Sequence, residues 1–406
     1  MEKHIITMLG EKDHGKSTLI GSLLIASGTV TEHRINEAKK YSKKGRFEPG
    51  YILDSFEEER EQEMTIDTTR AEMVYGGDIF EFIDVPGHLE LIKNMMSGAS
   101  HGEIAVLMVS MKKGEGLTQQ TKRHVYIANM LGIRALIVAI NKMDLVGYNK
   151  GAFDRAKAEI SGYLRSIGFS KPVSYVPVSA YDTQNLIKPS KKMPWYTGMP
   201  LMEELALFTT SRRAKSAKND LRAIVQDVVD HGNKEMLFCL VNSGSIKVGQ
   251  EVRLAPSGLK ATVLEIYLKG EKAKSAGAGS NIAVAINRKS KAKRGFILIG
   301  ANDKLHTTRS FESITFFVKG ASSNSDFEIK INNNSVPAKI TKVMGLISTG
   351  TGAVRKGGSR IPSGNAARLK IELEWNYPIE RFSDYNELGR FALYSNGKFC
   401  GIGIVV

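Results

Sequence analysis

Hydrophobic and polar positions fall into two textures along this chain. Over residues 1–208, short apolar runs at 5–9, 79–83, 104–109, 135–140 and 173–178 alternate with stretches of helical period at 90–99, 119–131, 153–167 and 201–208. Such mostly apolar runs of five or six residues predict strands. Their alternation with helices predicts βαβ units around a mostly parallel sheet. Residues 31–56 interrupt this pattern as a polar insert with the cations Lys39, Lys40, Lys43, Lys44 and Arg46. Helix is expected within it, with the charges facing water.

Residues 209–219 are rich in Ser, Lys and Arg and read as a linker. Beyond it the period changes from helical to alternating. Runs at 221–229, 235–241, 251–254, 260–267 and 282–286 are separated by the turn signals Ser243-Gly244, Val248-Gly249, Pro256-Ser257-Gly258 and Ala278-Gly279. Strands at this spacing predict a barrel. A second all-β block starts near Phe311, with polar turns at 322–325 and 332–334 and a glycine-rich loop at 350–358. The expected organisation is an α/β domain at 1–208, a linker at 209–219, and β-barrels at 220–304 and 305–406.

A length of 406 residues agrees with more than one core. No apolar run reaches the roughly 18 residues of a membrane span. The first residues run directly into a strand, so no leader is expected. Two cysteines far apart, Cys239 and Cys400, read as buried thiols in a reducing, cytoplasmic setting. The excess of 57 Lys+Arg over 42 Asp+Glu, a net charge of +15, suits a polyanionic partner and gives no sequence specificity.

The chemistry begins where the first run ends. Gly10-Glu11-Lys12-Asp13-His14-Gly15-Lys16-Ser17 has the phosphate-binding spacing G-x-x-x-x-G-K-[ST], between a strand and the helical stretch opened by Thr18. Loop N–H groups and a helix N-terminus converge on an anion there. Gly15 permits close approach, Lys16 reaches the β- and γ-phosphates, and the Ser17 hydroxyl suits Mg²⁺. The second run leads into Asp84-Val85-Pro86-Gly87-His88. Alone that is a turn. Opposite a phosphate loop, Asp84 holds Mg²⁺ and Gly87 offers its N–H to the γ-phosphate. The run at 135–140 ends in Asn141-Lys142-Met143-Asp144. The Asp144 carboxylate accepts from guanine N1–H and N2–H₂, a donor pair that adenine lacks. Asn141 braces the loop and the Lys142 stem covers the base. Ser179 and Ala180, after the next run, are placed to donate a backbone N–H to guanine O6. Between the first two motifs, Thr65 would be the threonine that completes Mg²⁺ coordination around GTP.

Five motifs in this order resemble the translational GTPases, closest to elongation factor 1-alpha and its relatives, which include ribosome-rescue GTPases and the GTPase subunit of sulfate adenylyltransferase. Asp13-His14, the Asp84 to His88 segment, Ile92-Lys93-Asn94-Met95 and Met193-Pro194-Trp195-Tyr196-Thr197-Gly198 fit this branch, as do Gly244 to Gly249, Ser363 to Ala367 and Leu388 to Ala392 further on. The resemblance implies a P-loop GTPase domain followed by two barrels, in a cytoplasmic monomer off the membrane. It implies GTP/GDP and Mg²⁺ as ligands, with Ser17, Thr65 and Asp84 at the metal. His88 would orient the attacking water. Asp13 would help neutralise charge beside Lys16, through a monovalent cation. tRNA or the ribosome is the implied partner, with a guanine-nucleotide exchange factor. Hydrolysis would release the Thr65 segment.

Several positions depart from the family. Lys12 stands where an apolar residue flanks the catalytic histidine, Glu63 where glycine precedes the metal-binding threonine, and Glu103 where aspartate is usual. The strand at 236–244 lacks the Gly-Arg-Val pattern, and the third domain lacks the Gly-Tyr and His-Thr-Ala signatures of factors that deliver aminoacyl-tRNA. These losses count against standard delivery. Two alternatives follow: the sulfate adenylyltransferase subunit, to which residues 59–62 and 120–124 lean although position 14 is His rather than Asp, or a regulatory GTPase without tRNA delivery.

Overall fold

The computed structural model describes residues 1–40, 47–53, 69–84, 92, 104–210, 220–231, 234–305, 307–323, 325–332 and 334–406. They form two compact units, one of Met1–Arg212 with Thr349–Ala353, the other of Arg213–Ser348 with Val354–Val406.

The first unit is built on a six-stranded sheet: β1 (Lys3–Leu9), β2 (Thr69–Tyr75), β3 (Asp78–Asp84), β4 (Ile104–Ser110), β5 (Ala135–Asn141) and β6 (Val173–Pro177). Their order is β2-β3-β1-β4-β5-β6. Strands β3, β1, β4, β5 and β6 run parallel, and β2 pairs antiparallel with β3 at the edge. Every residue of β4 and β5 is buried, which is why both read as continuous apolar runs. One sheet face presents Ile6, Met8, Val106, Met108, Ile137 and Ala139. Helix α1 (Lys16–Ala26) packs Leu19, Ile20, Leu23 and Leu24 into the same cluster. Fully burying each such leucine or isoleucine is worth about 1.5–3 kcal/mol. A second helix, α2 (Glu32–Lys40), occupies the polar insert as expected. Two more, α3 (Gln119–Met130) and α4 (Lys150–Ser166), begin at Thr118 and Asn149. Those side chains accept the N–H groups of Thr121 and Ala152 as N-caps. The last, α5 (Leu201–Thr210), adds Leu201, Met202 and Leu205 to the α1 core.

Strand β2 was not expected. Its sequence, Thr-Arg-Ala-Glu-Met-Val-Tyr, carries the charges Arg70 and Glu72 on one side and buries Ala71 and Met73 on the other. The expected helix at 90–99 and the linker core at 211–219 lie outside the described residues, apart from Ile92.

The second unit holds two closed barrels. Strands β7 (Arg222–His231), β8 (Lys234–Ser243), β9 (Ser245–Lys247), β10 (Glu251–Ala255), β11 (Leu259–Leu268), β12 (Glu271–Ala273), β13 (Ser275–Gly277), β14 (Asn281–Ile286) and β15 (Ile297–Gly300) make the first. The order β10-β15-β7-β8-β14-β11 closes through a β10–β11 pairing, with β12 appended and β9 and β13 paired apart. Along β8, Leu237, Cys239 and Val241 point inward and Phe238 points out.

Strands β16 (Thr307–Phe317), β17 (Ala321–Ser322), β18 (Asp326–Ile331), β19 (Asn334–Ile347), β20 (Val354–Lys356), β21 (Arg360–Ile361), β22 (Ala366–Pro378), β23 (Arg390–Ser395) and β24 (Lys398–Val405) make the other barrel. The order β18-β23-β24-β16-β22-β19 closes through β18–β19. Closure removes the exposed edges that open sheets must protect. Cys239 and Cys400 are both free and buried.

Within this unit Arg222 joins the barrels. It is 2% exposed, bonds Glu380 at 2.8 Å and Asp303 at 3.2 Å, and lies 4.5 Å from the Tyr385 ring centroid. A guanidinium with carboxylates on two sides keeps its charge compensated while dry. Ile224, Ile297 and Ile299 pack around it against Tyr385 and Leu388.

Candidate functional site

The carboxyl ends of β1, β3, β5 and β6 converge where the sheet order turns around β1, the place where open α/β sheets bind ligands. After β1 the chain leaves through Gly10 at φ 133, so close to β4 that a Cβ would lie 2.7 Å from the Met108 carbonyl oxygen. The loop then turns at Asp13, whose φ of 68 is left-handed without being glycine. Gly15, at φ 92, opens α1. The N–H groups of the following turn face the loop, as anion binding requires.

Lys16 is 8% exposed. Its ammonium donates to the carbonyls of Gly10 at 3.3 Å and Glu11 at 3.2 Å, and lies 3.9 Å from Asp84 Oδ1. The Ser17 hydroxyl donates to Asp84 Oδ2 at 3.0 Å. Lysine and hydroxyl from one motif and a strand-end carboxylate from another therefore share one spot. Lys12 and Asp13 are exposed at the loop's rim. Thr18 donates to Glu48 Oε1 at 2.6 Å, a partner from the insert that no motif marks.

His14 faces the other way. Its side chain is 1% exposed and its Nδ1 bonds the Met108 carbonyl oxygen at 3.1 Å. A carbonyl can only accept, so Nδ1 carries the proton. Burial holds the imidazole below its ordinary range, against the pull of that bond and of Glu115 and Glu11. His14 is thus a neutral wedge under the loop, and toward a ligand it presents backbone.

The second half of the site hangs on Asn141. Buried to 2% at the end of β5, its Nδ2 donates to the His14 carbonyl at 2.9 Å and its Oδ1 accepts the Ala180 N–H at 2.9 Å. One side chain ties the phosphate loop to the turn after β6. The chain then reverses at Lys142, φ 62, into a 3₁₀ turn over Met143–Val146. Lys142 Nζ donates to the Asp13 carbonyl at 2.6 Å and to Glu115 Oε2 at 2.8 Å. The Ser179 hydroxyl donates to Asp144 Oδ1 at 2.7 Å and so fixes that carboxylate. Ser22 of α1 donates to the Ala180 carbonyl at 2.7 Å.

The N–H groups expected to face guanine O6 are both engaged internally, Ala180 with Asn141 and Ser179 with the Gln184 carbonyl at 3.3 Å. The Ser179-Ala180 turn meets the rest of the site through the Ser179 hydroxyl and the Ala180 backbone. Thr65, Gly87 and His88, and the departures Glu63 and Glu103, lie outside the described residues. Sequence reading missed Glu48 and Glu115. Both sit in loops with no motif of their own and reach the site by the path of the chain.

Residues 2–232 match the family described as the elongation factor Tu GTP binding domain, and residues 318–406 match the GTP-eEF1A C-terminal domain-like family. The chain is 33% identical over 410 residues to elongation factor 1-alpha of Picrophilus torridus, covering 98% of this chain and 96% of that protein. It is 34% identical over 421 residues to elongation factor 1-alpha of Hyperthermus butylicus, covering 99% and 95%. The GTPase-like domain of S. cerevisiae Ski7, solved bound to GTP, shares the fold with a TM-score of 0.56 at 16% identity, over 100% of this chain and 97% of that one. A phosphate loop, a strand-end aspartate and an Asn-Lys-x-Asp turn on one sheet edge, with sequence likeness over nearly the full length, place this chain in the elongation factor 1-alpha family of GTP-binding, GTP-hydrolysing translational GTPases.

Proposed function

We propose that the chain is a GTP-driven switch acting on tRNA or the ribosome, a divergent paralogue rather than a standard carrier of aminoacyl-tRNA. One surface supports a polyanionic partner above all. The loop between β14 and β15 exposes Arg288, Lys289, Lys291, Lys293 and Arg294, and none of the five ion-pairs with a carboxylate among the described residues. The loop is held in shape by Glu235, which accepts the Ser290 N–H at 2.6 Å, and by the Ser290 hydroxyl, which accepts the Ala292 N–H at 2.9 Å. Five cations without a carboxylate partner among the described residues, on a fixed loop, match a phosphate backbone. On the same barrel an open groove of about 820 Å³ is lined by Phe238, Tyr267, Gln226 and Asn281, aromatic and amide groups that suit a splayed-out base.

In this reading Lys16 and the loop N–H groups hold the GTP phosphates, Asp144 selects guanine, and the Lys142 stem covers the base. Ser17 and Asp84, a hydroxyl and a carboxylate in contact, fit Mg²⁺ with Thr65, since that ion takes oxygen ligands beside phosphates. Bound there, it would neutralise phosphate charge. His88 orients water, Asp13 recruits a monovalent cation near the loop, and Thr65 leaves when the γ-phosphate does. An exchange factor and a cytoplasmic, monomeric protein belong to the same reading.

The test is filter binding with charged and uncharged tRNA, each with GTP and GDP, across a salt series. Retention is expected with GTP and falls steeply with salt. Changing Arg288, Lys291 and Arg294 to Gln flattens the log–log salt slope by about 2–3. Equal retention of all four combinations would rule out delivery and favour the regulatory alternative. Co-purification of a sulfurylase subunit instead of RNA would favour the metabolic one.

Lys12 is exposed at the rim of the phosphate loop. A cation there stabilises charge developing on the transferred phosphoryl group. Lys12→Val is expected to slow intrinsic hydrolysis by about three- to tenfold, a modest factor because the ammonium is solvated. Single-turnover GTP hydrolysis measures it, and unchanged intrinsic and stimulated rates would discard the idea.

A further inference from the structure

We infer that Glu115 is a positioning residue that latches the base-recognition turn to the phosphate loop and thereby sets how long a guanine nucleotide stays bound. The inference rests on the nucleotide-site reading above and adds the control of release.

Glu115 comes from the loop between β4 and α3, away from every motif. Its side chain is 18% exposed. One carboxylate oxygen takes Lys142 Nζ at 2.8 Å, and the other takes Lys112 Nζ at 3.0 Å. Burial pushes its carboxyl upward, but hydrogen bonds from Lys142, Ser110 and Lys112 outweigh that and hold it down at about 2. Glu115 is therefore a fixed anion across the physiological pH range.

The other end of the latch is strained backbone. Lys142 at φ 62 and Asp13 at φ 68 are both non-glycine residues in the left-handed region, joined by the 2.6 Å bond from Lys142 Nζ to the Asp13 carbonyl. Each conformation costs free energy that the surroundings must offset. An ammonium has three protons. In this site one holds the phosphate loop and one is held by Glu115. Without the carboxylate, the Lys142 side chain, 23% exposed, gains freedom by swinging further into water, and the Asp13 carbonyl loses its donor. The phosphate loop and the base turn then open independently. Base choice is a separate matter, because Asp144 is fixed by Ser179 and not by Glu115.

The test follows release of a fluorescent GDP analogue from the full chain. Glu115→Ala is expected to speed release about tenfold and Glu115→Gln about threefold, with association within twofold and the preference for GDP over IDP unchanged. Lys142→Met speeds release comparably, and the Glu115→Ala/Lys142→Met pair releases no faster than the faster single variant, as for members of one link. A residue that merely supported the fold would change association and base preference as well. Should Glu115→Ala misfold, Glu115→Asp reads the same latch through its shorter reach. Wild-type release rates in the Glu115 variants, or effects that multiply in the pair, overturn the latch alone. Failure of the wild-type chain to retain GDP overturns the nucleotide reading with it.

Discussion

Asp144→Asn lowers the affinity for guanine nucleotides by about two to three orders of magnitude and raises that for xanthine nucleotides. The wild-type carboxylate offers two acceptors, and guanine presents two adjacent donors, N1–H and N2–H₂. The Ser179 hydroxyl, bonded to Asp144 Oδ1 at 2.7 Å, keeps the carboxylate from rotating, so its lone pairs are aimed before the base arrives. Asparagine keeps the shape and replaces one acceptor by an amide N–H₂. One charge-assisted bond is then lost and a donor is set against a donor. Each charged hydrogen bond is worth about 1.5–3 kcal/mol, and an unpaired polar group adds its desolvation cost, so a factor of about 100 to 1,000 follows. Xanthine carries a carbonyl where guanine has its amino group, and the new amide can donate to it. Competition of GDP and XDP against one fluorescent nucleotide measures both arms. Equal loss for the two bases would mean that the substitution disturbs the turn and not the recognition.

What could be read in advance, and what could not, divides by the range of the interaction. Strands β4 and β5 were visible because parallel strands covered on both faces are apolar throughout, and β1, β3 and β6 because their runs are mostly apolar. Strand β2, at the edge, hid behind the charges of Arg70 and Glu72. The described motif residues lie together, Lys16 and Ser17 with Asp84, and Asn141 and Asp144 with Ser179 and Ala180, because each motif fixes its own turn at a strand end. Pairings between turns were not legible. The Ala180 N–H was expected to face a ligand and instead meets Asn141, a residue 39 positions earlier. Glu115 meets Lys142 across 27 positions and Thr18 meets Glu48 across 30. In the barrels the alternation was plain, but the closing pairs β10–β11 and β18–β19 and the Arg222 ion network depend on how strands from different turns come side by side.

Those cross-links explain why the fold and the site cannot be separated here. The carbonyl of His14, the N–H of Ala180 and the carbonyl of Asp13 each take a side chain from the end of β5 or the residue after it. The His14 carbonyl and the Ala180 N–H are buried, and buried backbone groups need partners. The phosphate loop is therefore held by Asn141 and Lys142, and a change in one half of the site is felt in the other.

Asn141→Ala is accordingly expected to cost about 3–4 kcal/mol of folding stability and to speed nucleotide release about a hundredfold. The side chain is 2% exposed and makes both of its bonds to backbone, at 2.9 Å each. Truncation leaves a buried carbonyl and a buried N–H without partners, at about 1–3 kcal/mol apiece. Asn141→Asp is nearly as costly, because a carboxylate can keep the Ala180 N–H but sets an oxygen against the His14 carbonyl. Urea unfolding followed by Trp195 fluorescence in a Trp375→Phe background reports the first unit specifically, since the chain has two tryptophans. Gly15 supplies the decisive control. A Cβ at position 15 would lie 2.4 Å from Asn141 Nδ2, on a backbone at φ 92. Gly15→Ala alone meets both the clash and the left-handed strain. In the Asn141→Ala background the clash is gone, and what remains is the backbone term of about 1–2 kcal/mol. The double variant should therefore be less destabilised than the sum of the singles by 1 kcal/mol or more, the coupling of residues in direct contact. Simple additivity would show that Asn141 does not fill the space that glycine leaves open, and that the phosphate loop takes its shape from elsewhere.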